Sequence, residues 1–102
     1  MELAPGVSID EDRLREVCSA NGIRRLGLFG SALHGRLRPD SDIDLLVEFE
    51  PARTPGLLGI AQLELDLGAL LGRPVDLRTA NDLSRYFRDE VAAEARVLYE
   101  AA

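Results

Sequence analysis

The chain has 102 residues, 46% of them hydrophobic and 29% charged, with a formal net charge of −6. That is enough apolar material for one folded domain spanning residues 1–102, and it excludes a disordered chain. The excess of acid argues against direct nucleic-acid binding, which would need a basic footprint, and suits a basic protein partner or simple solubility.

Met1 to Val7 reads as a loose start with no signal-peptide apolar segment. No apolar run approaches the roughly 18 residues of a membrane span. A cytoplasmic protein with no membrane attachment is expected, and the single Cys18 excludes an internal disulfide and fits a reducing compartment. Ser8-Ile9-Asp10-Glu11 predicts a capping box with Ser8 as N-cap, opening a helix that runs to about Ala20 and stops at Asn21-Gly22. Leu14, Val17 and Cys18 share its buried stripe, and nothing nearby would activate Cys18 as a nucleophile.

Ile23 to Phe29 predicts the first strand, with Ile23, Leu26 and Leu28 inward. It ends abruptly at Gly30-Ser31, and Ser31 to His34 form at most one helical turn. About twelve residues reach the next apolar stretch, Leu45-Leu46-Val47. That is too few for a comfortable parallel crossover and predicts antiparallel or mixed pairing. Just before this stretch stands Asp40-Ser41-Asp42-Ile43-Asp44.

Asp42 and Asp44 are two apart at the start of a strand. They would face the same way, about 7 Å apart along the chain, with Ile43 turned inward. Neighbouring carboxylates repel unless a cation or proton intervenes, and oxygen ligands of this type suit magnesium. Opposite them, Gly30 lets backbone approach a phosphate and Ser31 adds a hydroxyl donor. A lone Gly-Ser is a turn in most proteins, and a lone D-x-D is more often solvated surface or a helix cap. The compound pattern of strand, Gly-Ser, D-x-D and strand is specific: a nucleoside triphosphate held by its tail at Gly30 and Ser31, and through metal at Asp42 and Asp44. Arg36 and Arg38 are candidates for phosphate pairing, with surface solvation the equal alternative. His34, the only histidine, reads as a residue flanking the nucleotide, with a general-base role as a second reading.

Pro51 to Gly56 is a loop. Leu57 to Leu71 has helical period, with 57, 60, 63, 67, 70 and 71 forming its stripe. Leu58, Ala61 and Leu65 lie partly outside that stripe, so the helix is either deeply buried or, the preferred reading in so small a domain, meets a partner. Gly72 and Pro74 end the helix. Val75-Asp76-Leu77 is a short strand. An acid inside it is costly unless it holds metal or pairs with Arg73 or Arg78. Thr79 to Ser84 is a turn, and a last helix is expected from about Ser84 to Tyr99, carrying Phe87, Val91, Ala95 and Leu98 or Tyr99 on one face.

GSALHGRLRPDSDIDLLVEF resembles the G-S-x-x-x-G…S-D-I-D-[LI]-[LIV]-V motif of the nucleotidyltransferase superfamily, whose fold is DNA polymerase beta-like. The small size points to its minimal nucleotidyltransferase (MNT) branch, and the likeness extends through the strand at Asp76 to the C-terminal LS-x-Y-x-RDEV segment. The resemblance implies an α/β (α+β) fold, a short mixed sheet of about three strands with about four helices. It also implies that Gly30 and Ser31 bind the triphosphate of ATP, and that Asp42, Asp44 and Asp76 hold two Mg²⁺ ions. In the MNT branch it implies an antitoxin that adds AMP to a tyrosine of a HEPN ribonuclease toxin and silences it. A non-catalytic module that masks its partner by contact is the alternative from another class. Transfer to a small molecule such as an aminoglycoside is a third, and it would need a dimer to complete the pocket.

Overall fold

The computed structural model describes all 102 residues. Two strands, β1 (Glu2–Ala4) and β2 (Val7–Ser8), open the chain as an antiparallel pair. Helix α1 (Glu11–Ala20) follows, then strand β3 (Ile23–Phe29), the single turn α2 (Gly30–Leu33) and strand β4 (Ile43–Phe49). Helix α3 (Leu57–Leu71) leads to strand β5 (Val75–Arg78). A 3₁₀ turn at Ala80–Asp82, helix α4 (Arg88–Glu94) and strand β6 (Arg96–Glu100) complete it. The main sheet runs β5-β4-β3-β6, with β4 and β5 parallel and the other pairs antiparallel.

This is the mixed α+β architecture the sequence leads one to expect, with one strand more than the expected three. The short link between β3 and β4 gives antiparallel pairing, and α3 supplies the crossover that a parallel β4–β5 pair requires. Pleat alternation divides the sheet. Ile43, Leu45, Val47 and Phe49 are buried on one face, while Asp44, Leu46 and Glu48 point to the other. On the buried face α1 brings Leu14 and Cys18, and α3 brings Leu63, Leu67 and Leu71, into one core with Leu26, Leu28 and Leu77.

Three local expectations are corrected. Met1 to Val7 is not loose. It carries β1, its Leu3, Ala4 and Val7 join the core, and the backbones of Met1 and Ile9 bond to each other. The N-cap of α1 is Asp10, not Ser8: Asp10 Oδ1 accepts from the N–H groups of Asp12 and Arg13, while Ser8 is taken up in pairing with Glu2. The last helix does not reach Tyr99. It ends at Glu94, and Arg96–Glu100 turns into β6 because the free edge of β3 offers a full ladder there. On α3, Leu63, Leu67 and Leu71 are buried as expected, but Leu57 is 87% exposed, as is Leu58, with Leu65 at 69%.

Candidate functional site

The end of the sheet where β3 stops and β4 begins gathers the acids. Phe29 pairs with Asp44, so Gly30 turns away beside that carboxylate. Asp44 in turn lies next to Asp76 in the parallel β4–β5 register. Asp42 precedes the strand rather than lying in it, and it is exposed. Asp76 and Asp42 both act on Asp44. Burial raises the pKa of Asp44 first, and the charges of Asp76 and then Asp42 raise it further. The nearby Ser31 N–H and the Arg78 guanidinium pull it back.

Gly30 is required at its position. Its φ is +72°, in the left-handed region. A Cβ there would collide with the Asp44 carboxylate, 3.0 Å from its Cγ and closer still to Oδ2. The chain therefore passes as near to Asp44 as backbone can. Ser31 follows within α2, whose Gly30 carbonyl accepts from the His34 N–H at 3.2 Å.

Two arginines that received little weight in the sequence shape the site. Arg78 donates to both oxygens of Asp76, from Nε at 3.0 Å and from Nη2 at 3.3 Å. The spacing Asp76-Leu77-Arg78 signals this, since residues two apart share a strand face. The salt bridge considered for Asp76 is thus formed, with Arg78 rather than Arg73. Arg73, just past α3, donates to the carbonyls of Arg38, at 2.7 Å, and Ser41. The Arg38 N–H donates to Ser41 Oγ at 3.1 Å. Together these bonds fix the turn that delivers Asp42. Arg36 and Arg38 have exposed side chains and form no ion pair. His34 Nε2 lies 3.7 Å from Glu94.

The chemistry of the donor set, carboxylate oxygens, suits a divalent cation. Three carboxylates of like charge share one strand end, and Asp44 is pushed toward protonation by burial first and by the charges of Asp76 and Asp42 next. No three acids stand close enough together to enclose an ion in this structure, and Asp76 is bonded to Arg78.

Residues 11–99 match the model of the nucleotidyltransferase domain. The chain belongs to that family. Among curated nucleotidyltransferases it is similar to the protein adenylyltransferase MntA of Thermococcus cleftensis, 46% identical over 63 residues, which span 62% of each chain. A solved minimal nucleotidyltransferase is 41% identical with a TM-score of 0.69, covering 83% of this chain and 85% of that one. A tri-AMPylated Shewanella oneidensis HEPN toxin in complex with MNT antitoxin aligns at a TM-score of 0.62 and 22% identity, over 89% of this chain and 70% of that one. At that identity the likeness concerns the fold alone. No helix of this nucleotidyltransferase is long and apolar enough to cross a membrane.

Proposed function

We propose that residues 1–102 act as one nucleotidyltransferase domain that moves AMP from ATP to a hydroxyl of a partner protein, a tyrosine phenol by preference. The partner is a HEPN-type ribonuclease toxin in the cytoplasm, which the modification neutralises. One observation carries the reading: Gly30, with no room for a side chain, lies against Asp44, which neighbours Asp76 and Asp42. The adenylyltransferase relative supports the choice of reaction, and the partner is proposed by analogy with the complex that shares the fold.

In this mechanism Gly30 gives the triphosphate tail access to backbone, and the Ser31 hydroxyl and the unpaired Arg36 and Arg38 guanidinium groups bind it. Asp42, Asp44 and Asp76 are the residues that would hold two Mg²⁺ ions. Bound there, the ions would lower the pKa of the attacking hydroxyl and offset charge on the leaving group. The hydroxyl oxygen forms a bond to the α phosphorus as the bond to the bridging oxygen of the β phosphate breaks. Pyrophosphate departs with that electron pair, and the hydroxyl proton passes to water. Arg73 holds Asp42 in place through the Arg38–Ser41 turn.

The exposed Leu57, Leu58 and Leu65 favour a second reading, in which the chain masks its partner by contact alone. Asp42→Asn separates the two. Neutralisation lost while the complex still forms, measured by growth rescue and co-purification, supports transfer. Neutralisation unchanged would sink it.

A further inference from the structure

On the sheet face away from α1 and α3 lies a cavity of about 360 Å³ that has no part in the site as described. Gly27, Leu46 and Val97 line its floor, Ala92 and Ala95 one wall, and Asn81 another. Its position is set by register. Leu46 is two residues beyond Asp44 on the same strand face, about 7 Å along it. Gly27 pairs with Leu46 on one side and with Val97 on the other. Gly27 has no room for a side chain because Ala95 packs directly over it: a Cβ there would stand 3.1 Å from the Ala95 Cβ. Thr79, also in the lining, follows directly on Arg78, the partner of Asp76. None of the three acids lines the cavity; its nearest lining residues along the chain are Leu46, two from Asp44, and Thr79, three from Asp76.

Displacement at phosphorus runs in line: the attacking oxygen arrives opposite the departing one. With the triphosphate tail at Gly30 and Ser31, beyond the end of the sheet, the attacking oxygen comes from the other direction, along β4 toward Leu46. We propose that this cavity receives the aromatic side chain of the acceptor and presents its phenol to the acids. This rests on the AMP-transfer reading. The volume lies at the low end for ligand pockets and admits an aromatic side chain, on an apolar floor rimmed by Arg25 and Glu48. The net charge of −6 favours the approach of a basic segment carrying that side chain.

The test uses N-acetyltyrosine amide as the probe, titrated into the Mg²⁺–ATP-bound chain and followed by NMR. Resonances of Leu46, Ala95 and Val97 shift, and Ala92→Trp or Val97→Trp weakens the probe's affinity by roughly tenfold or more. Both positions are exposed, with Val97 at 42%, and neither is among the acids. The affinity for Mg²⁺–ATP stays unchanged in both variants. The proposal is overturned if the probe shifts none of these resonances, if neither tryptophan weakens it, or if ATP affinity falls instead, which would make the cavity a nucleobase site. None of these readouts needs turnover, so failure here is distinct from failure of AMP transfer.

Discussion

At the scale of single residues, Asp44 and Gly30 act as a pair. Burial and two neighbouring carboxylates raise the Asp44 pKa above its usual 3.8. The native state then binds a proton at Asp44 more tightly than the unfolded chain does. Ionised Asp44 therefore costs stability at neutral pH, and that cost is relieved as pH falls through the raised pKa. Below the ordinary value both states are protonated and the effect ends. In chelator, Asp44→Asn is expected to raise the melting temperature at pH 7 and to have no such advantage at pH 3. Thermal melts across that range check it, and an advantage independent of pH would argue against the charge origin. For Gly30→Ala the left-handed backbone alone costs about 1–2 kcal/mol, and the clash with Asp44 adds to it. Denaturant unfolding should show at least that loss, and ATP affinity should fall with it. Arg73→Gln removes two charged donors from the turn before Asp42, worth about 1.5–3 kcal/mol each at most. It should raise the Mg²⁺ concentration needed for half-maximal transfer more than it raises the KM for ATP.

At the scale of elements, α3 has two unequal faces. Leu67 is fully buried, so Leu67→Ala should cost about 2–5 kcal/mol in denaturant unfolding. Leu65→Gln, on the exposed side, should stay within about 0.5 kcal/mol, and any loss it causes should appear in partner binding instead. Burial pushes the Cys18 thiol up to about 12, so it carries no thiolate at pH 8. A thiol reagent should label it only after unfolding, and rapid labelling of the folded chain would place α1 wrongly.

The same scale shows what could be read along the chain. The apolar run that ends β3 at Gly30, the helical period of α3 and the Gly and Pro before β5 are local signals, and each element stands where they put it. β6 was hidden because Val91, Ala95 and Leu98 continue a helical period past Glu94. What turns Arg96–Glu100 into a strand is the open edge of β3, some 70 residues earlier in the chain. The β1–β2 pair escaped notice for a related reason, since its strands are three and two residues long. At the site, Gly30, Asp44 and Asp76 stood out because glycine and acids at strand ends are costly without a use. The hold of Arg73 on the Arg38–Ser41 turn and the cavity over Gly27 arise from contacts distant in sequence.

At the scale of the whole molecule, the sheet assigns its faces to different tasks. One is sealed by α1 and α3. The other carries the acids at one end and the open cavity further along. The account rests on phosphoryl chemistry at that acid end. The measurement that tests it most directly incubates the purified chain with Mg²⁺, ATP labelled at the α phosphate and the protein that co-purifies with it, beside Asp44→Asn. The account predicts label on the partner with the unaltered chain, and at least a hundredfold less with the variant, roughly the loss expected when a metal-holding group is removed. A stable complex with no label, or equal labelling by both chains, would contradict it.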